Sequence, residues 1–257
     1  MYRAIDRNKA TILVNLPVYN EAGSIEQLLY RVKSIMEFRK LDYKVVLYDD
    51  GSTDDSVAII MRLKEKMPIL VIEGQKNKGL GVALSELIKK SIEIGKNEDI
   101  VVVMDSDNTH NPEYVFKMLE KIRDGFDIVI ASRYQPESRL MGVNLSRQLL
   151  SNVASCIMKT VFPIKGARDY TSGYRAYNMY VLKLAQRFYG EKLIEETGFA
   201  CMAELLIKLD RFKPLVTEVP LILRYDHKIG GSKMQVLRTI VNTFKVLFKL
   251  RFSRTKI

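Results

Sequence analysis

The chain has only two cysteines and two histidines in 257 residues. Cys156 and Cys201 lie in apolar stretches without metal-ligand spacing, so both are expected as buried thiols in a reducing compartment. His110 and His227 are too few for a His-rich metal site. No G-x-G-x-x-G or G-x-x-x-x-G-K-[ST] pattern is present, which excludes a dinucleotide fingerprint and a P-loop. No run approaches the roughly 18 uninterrupted apolar residues of a spanning helix. Residues 1–10 are polar and lack an apolar signal core, so the expected location is cytoplasmic. Acidic residues are missing from Lys233 onward, where seven of the 41 basic residues and none of the 30 acidic ones fall. The net charge of +11 is therefore largely a C-terminal property, not a nucleic-acid footprint over the whole surface.

What is present suits a core. Hydrophobic residues make up 47% and charged residues 28% of the chain, enough for one large core or two small ones. Apolar runs alternate with helical patterns through the first half, which predicts parallel β-α units. The predicted strands are 11–16 (broken by Pro17), 44–48, 69–73, 100–104 and 127–131. Helices are predicted over 23–38, from the 49–53 turn to about 66, over 80–94, and from Pro112. After Arg133 the rhythm is less regular. A helix is expected over about 145–161, a short strand near 174–177, two more helices, extended chain over 216–224 and a last helix from Met234 to about Leu250.

The run Val101-Val102-Val103-Met104-Asp105-Ser106-Asp107 carries the chemistry. Its apolar part reads as a strand covered on both faces. The two carboxylates then emerge at the carboxyl end, where an open α/β sheet places its ligand crevice. Two hard oxygen ligands suit Mg²⁺ or Mn²⁺, ions that keep waters and borrow phosphate oxygens from a substrate. Polar clusters also follow the first two strands: Pro17-Val18-Tyr19-Asn20-Glu21, and Asp49 to Asp54. Each is also an ordinary turn or helix cap when taken singly. In a parallel sheet all three clusters share one edge, and that convergence makes a site. Tyr19 can cover a base, and Glu21 and Asp50 can accept from base N–H or ribose hydroxyls. The loop 76–81 precedes a helix, so its backbone N–H groups and lysines are expected to favour an anion.

The set PVYNE, DDGSTD, NKGLG, MDSDNTHNP, SRY, DYTSGYRAY and RYDHKIGGSKM, in this order from residue 17 to 234, resembles the dolichol-phosphate mannose synthase group of family 2 glycosyltransferases. The resemblance implies an α/β GT-A fold over 1–232, with a mostly parallel central sheet flanked by helices, and a basic amphipathic tail over 233–257. It implies that Pro17, Tyr19, Glu21, Tyr48 and Asp50 hold the nucleotide. It further implies that Asp105 and Asp107 hold metal and diphosphate with Ser106 close by. The family often has Gln where Thr109 stands, so Thr109 is the third candidate metal ligand. Arg133 and Arg147 match arginines for the acceptor phosphate, and Arg224 and Lys233 match residues that close over the donor. A planar guanidinium grips phosphate through two hydrogen bonds, which makes arginine chemically sensible there.

The implied reaction is metal-dependent, inverting transfer of mannose or glucose from a nucleoside-diphosphate sugar to a polyprenyl or dolichyl phosphate. Metal and basic residues would neutralise the leaving diphosphate. A lipid phosphate is already anionic and needs no general base. The alternative, a saccharide hydroxyl acceptor in surface-polysaccharide synthesis, needs one, and Asp169 and Glu204 are the candidates. A nucleotidyltransferase would call for a glycine-rich N-terminal signature that is missing. A basic membrane- or nucleic-acid-binding module leaves the strand-end acids without a task. On the last helix, Arg238, Lys245 and Lys249 fall on one face at 100° per residue, opposite Val236, Leu237, Ile240, Val241, Phe244, Leu247 and Phe248. Such a helix suits an anionic membrane surface and predicts a peripheral protein at the cytoplasmic face, with no nucleic acid partner.

Overall fold

Ile12–Val18 (β1), Tyr43–Asp49 (β2), Ile69–Glu73 (β3) and Ile100–Val103 (β4) pair in parallel, in the order β3-β2-β1-β4. The computed structural model describes residues 10–142, 155–224 and 248. The sheet continues through Arg175–Asn178 (β7), Ile128–Ser132 (β5) and Val216–Pro220 (β8), giving seven strands among the described residues. β7 alone runs against its neighbours: it is antiparallel to β4 and β5, while β5 and β8 are parallel. Arg139–Met141 (β6) and Ile222–Arg224 (β9) form a separate parallel pair. The expected mostly parallel α/β architecture holds, with one reversal that periodicity had not revealed.

Strands are apolar on both sides because helices cover both faces. Ile25–Phe38 (α1), Ser56–Leu63 (α2) and Tyr114–Arg123 (α4) bury one core with Val14, Leu16, Ile100 and Val102. Leu80–Ile94 (α3), Met179–Tyr189 (α6) and Cys201–Leu209 (α7) bury the other with Leu13, Val101, Val103 and Ile130. Alternate residues of β4 thus feed opposite cores, as period-two geometry requires. Residues 155–161 form the described part of helix α5, which packs Met158 into the second core.

Two expectations need correction. Pro17 does not break β1 but lies within it, level with Tyr48 of β2. Alternate residues of β1 direct their N–H and C=O groups to β2, as the Ile12 N–H to Asp42 O bond shows, so residue 17 faces the β4 side. β4 pairs with β1 only as far as Asn15, and no ladder bond is lost through the missing N–H. Cys201 is buried as expected, whereas Cys156 is exposed on the outer side of α5. The predicted helix 234–250 and the tail face assigned to it lie outside the described residues, Phe248 apart. Among the described residues no helix is long and apolar enough to cross a membrane.

Candidate active site

The carboxyl ends of β1, β2 and β4 meet as parallel register demands: Val18 pairs with Asp49, and Asn15 with Val103. Two residues on, Asp105 is level with Pro17, and the Ser106 hydroxyl donates to the Pro17 carbonyl at 2.7 Å. Ser24, just before α1, donates from its hydroxyl to Ser106 O at 3.0 Å and to Glu21 Oε2 at 2.8 Å. The β1 and β2 loops are stitched by Asn20 N–H to Ser52 Oγ (2.9 Å), Thr53 N–H to Asn20 Oδ1 (2.7 Å) and Glu21 N–H to Ser56 Oγ (2.7 Å). Asn20 and Asn108 adopt positive φ of 52° and 60°, a region asparagine tolerates better than most side chains. Pro17, Tyr19, Glu21, Ser106, Asp105 and Asp107 therefore belong to one continuous sheet edge.

Asp105 keeps 42% of its side chain exposed, whereas Asp107 is buried. The Thr109 hydroxyl and N–H both donate to Asp107 Oδ1, at 2.6 and 3.2 Å. Thr109 thus orients Asp107, and its hydroxyl proton is already directed there. His110, unassigned from sequence, accepts the Asp105 N–H on Nδ1 at 3.2 Å, which leaves the neutral ring's proton on Nε2, 3.8 Å from Asp105 Oδ2. Tyr174 stacks on this imidazole at 4.9 Å and donates its hydroxyl to Asn111 O. Gly173 backs Asp105 so closely that a Cβ there would lie 3.1 Å from Oδ1. Among the described residues no three His, Cys, Asp or Glu side chains group as a metal cage. Two carboxylates, one exposed and one fixed, fit a hard divalent cation that takes its remaining oxygens from water or phosphate.

Other assigned residues are placed differently. Tyr48 is buried in a cluster with Val46, Ala83 and Leu87, between β2 and α3. Asp50 is also buried, and its two oxygens accept the N–H groups of Lys78 and Gly79 at 2.8 Å each. Burial pushes its pKa up, and those two N–H groups oppose the push. The anion favoured by loop 76–81 is therefore Asp50 itself, and Gly81 N–H goes to Thr197 O at 2.8 Å. That corrects the expectation of open donors at the start of α3.

Asp169, a candidate base by sequence, is placed instead as a structural carboxylate. It is fully buried and accepts Arg133 Nε at 2.8 Å, Arg133 Nη2 at 2.7 Å and Ser172 N–H at 2.9 Å, among others. Burial alone would raise its pKa. The Arg133 guanidinium and backbone donors outweigh that and hold the carboxyl below the usual carboxylate range. Asp169 is an anchor for Arg133, which stands at the end of β5 and also donates to Thr171 Oγ1 at 2.6 Å. Glu204, the other candidate base, is also buried, and it accepts Glu195 N–H, Glu196 N–H and Lys208 Nζ. Arg147 and Lys233 lie outside the described residues, as does the side chain of Arg224.

Residues 14–184 match the family described as glycosyl transferase family 2. The chain is 30% identical over 240 residues to a dolichol-phosphate mannosyltransferase of Pyrococcus furiosus, covering 93% of this chain but 63% of that protein, so it spans less than two thirds of that relative. It is 28% identical over 224 residues to an undecaprenyl-phosphate mannosyltransferase of Micrococcus luteus, covering 87% of each. A polyprenol monophosphomannose synthase of Mycolicibacterium smegmatis is 26% identical, covering 91% of this chain and 84% of that one. The glucosyl-3-phosphoglycerate synthase of Mycobacterium tuberculosis, solved with Mn²⁺, uridine diphosphate and phosphoglyceric acid, superposes with a TM-score of 0.70 at 18% identity, covering 96% of this chain and 80% of that one. That likeness is one of fold. With the strand-end acids on a single sheet edge and a match running from β1 into α6, the chain belongs to glycosyl transferase family 2 and has its GT-A fold.

Proposed function

We propose that the protein transfers a hexose, mannose or glucose, from a nucleoside-diphosphate sugar to a polyprenyl phosphate, with inversion and with Mg²⁺ or Mn²⁺. One observation carries this reading: residues 169–174 join an acidic site to a cationic one. Asp169 clamps Arg133 at the end of β5, and Gly173 abuts the Asp105 carboxylate beyond β4. A donor diphosphate needs the first site and an anionic acceptor the second. The relatives named for prenyl-phosphate mannosyl transfer support the same choice.

Asp105 and Asp107 would hold the cation, which supplies charge neutralisation for the departing nucleoside diphosphate. Thr109 keeps the Asp107 carboxylate in place, and His110 holds the backbone of Asp105. Tyr19 and Glu21 lie at the end of β1 for the nucleotide, and Arg133 binds and orients the acceptor phosphate. The acceptor oxygen arrives already deprotonated, so positioning and electrostatics are the main demands on the protein. A saccharide hydroxyl would need a base, and the buried, fully engaged Asp169 and Glu204 argue against that acceptor. The proposed association with an anionic membrane surface rests on the basic tail sequence.

The test is incubation with labelled nucleotide sugars, polyprenyl phosphate and Mn²⁺, followed by organic extraction. Label should enter the lipid phase with one donor and stay out of it with EDTA. Label that reaches only water or an oligosaccharide overturns the acceptor assignment.

A further inference from the structure

Arg175, on the reversed strand β7, is the largest fully buried side chain among the described residues. An unpaired guanidinium there would be costly, so its partners state its purpose. Nη1 donates to Met202 O at 2.7 Å, and Nη2 donates to Tyr170 O at 2.7 Å and reaches Asp169 O at 3.5 Å. Among the described residues neither its Nε nor the Tyr177 hydroxyl has a partner of hydrogen-bond geometry, although the guanidinium charge counters the upward push of burial on the Tyr177 phenol. Among the described residues no acidic side chain forms an ion pair with Arg175 directly. Its charge is spent on main-chain carbonyls, two of them in the turn that carries Asp169, the third in α7.

Asp169 is thereby held twice. Its carboxylate faces the Arg133 guanidinium, and its backbone is pinned by Arg175, whose charge also helps keep the acid ionised. Between β4 and β5, Arg175 is level with Val103 and Ile130, directly below the two strand ends that carry Asp105 and Arg133. The three groups together carry one excess positive charge, with a single carboxylate between two guanidinium groups. We propose that Arg175 is a positioning residue for the anion-binding site: it fixes the 169–171 turn so that Asp169 can present the Arg133 guanidinium in one plane, and it keeps the local charge positive for an incoming phosphate monoester. The proposal rests on the acceptor reading above for the identity of that phosphate.

The test compares wild type with R175K and R175M, and with C201A as a packing control beside the same guanidinium. Lysine keeps the charge but cannot span three carbonyls. The acceptor KM should rise about tenfold in R175K, the equivalent of one charge-assisted hydrogen bond, and further in R175M. The donor KM and acceptor-free donor hydrolysis should stay within about twofold, and C201A should leave the acceptor KM unchanged. An unchanged acceptor KM in R175K overturns the proposal, as does a parallel rise in both KM values, the mark of general misfolding. If R175M fails to fold by circular dichroism, R175K alone decides. Wild type that moves no sugar into lipid overturns the functional reading instead. In that event calorimetric binding of inorganic phosphate decides the role of Arg175: weaker binding in R175K supports it, and equal binding overturns it.

Discussion

Asp169→Asn isolates the charge of the anchor while keeping its shape. In the native protein both oxygens are occupied: Oδ2 by Arg133 Nε at 2.8 Å and Arg133 N–H at 3.1 Å, Oδ1 by Arg133 Nη2 at 2.7 Å and Ser172 N–H at 2.9 Å. An amide offers one acceptor and turns its NH₂ towards donors. Removing one partner of a buried ion pair costs about 3–5 kcal/mol. Arg133 keeps 21% of its side chain exposed, so water recovers part of the loss, and about 3 kcal/mol is expected. For a protein of this size that lowers Tm by about 6–12 °C. The sign of the pH dependence follows from a folded carboxyl held below its ordinary value. Its stabilisation is complete above the unfolded pKa of about 4 and is lost as pH falls through the lower folded value. Thermal unfolding followed by circular dichroism at several pH values should show the wild-type advantage at neutral pH, narrowing only in acid. A variant melting within about 2 °C of wild type at pH 7, or a gap that stays constant into acid, would refute the buried-anchor assignment.

Two further substitutions probe the edge from other sides. Gly81→Ala places a Cβ 1.7 Å from the Glu196 carbonyl oxygen, a backbone atom, so residues 196–197 must move. Alanine's helix propensity returns about 1 kcal/mol, but overpacking against backbone should cost about 3 kcal/mol and win. A denaturant titration showing G81A as stable as wild type would sink the close-packing argument. Thr109→Val removes the hydroxyl that donates to Asp107 at 2.6 Å. The Mn²⁺ concentration giving half-maximal thermal stabilisation in the presence of nucleoside diphosphate should rise about tenfold, the worth of one hydrogen bond to a charged group. An unchanged metal titration would remove Thr109 from the site.

Local pattern carried much of the fold. Residues 69–73 and 80–94 were legible to the residue, because an apolar run and a helical stripe each end in a sharp change of polarity. The acidic edge was legible because parallel strands must end together. What escaped was long-range satisfaction of polar valence. The Lys78 and Gly79 N–H groups look free in sequence, yet Asp50, 28 and 29 residues away, fills them. Asp169 looks like a base until Arg133, 36 residues earlier, takes its oxygens. The reversal of β7 was hidden as well, since its four residues lack a periodicity that states direction. An arginine in the middle of that strand was the available signal: a central strand buries a charge only when the fold has a use for it.

That signal ties the two halves of the site into one device. Residues 169–175 supply, in order, the clamp on Arg133, a hydroxyl at Thr171 for the same guanidinium, the Ser172 hydroxyl to Ala131 O on β5, a glycine against Asp105, a ring under His110 and the buried Arg175. Successive residues serve the cationic site, then the acidic one, because the chain crosses from the end of β5 towards the end of β4 before entering the strand between them. A forward-running strand in that position would have brought its amino end to the opposite edge, away from both sites. Reversing β7 is therefore what allows one short segment to fix the distance between the Asp105 carboxylate and the Arg133 guanidinium, which in the proposed function is the distance between a leaving diphosphate and an entering phosphate. On that proposal the spacing of donor and acceptor is set by backbone geometry rather than by long, mobile side chains.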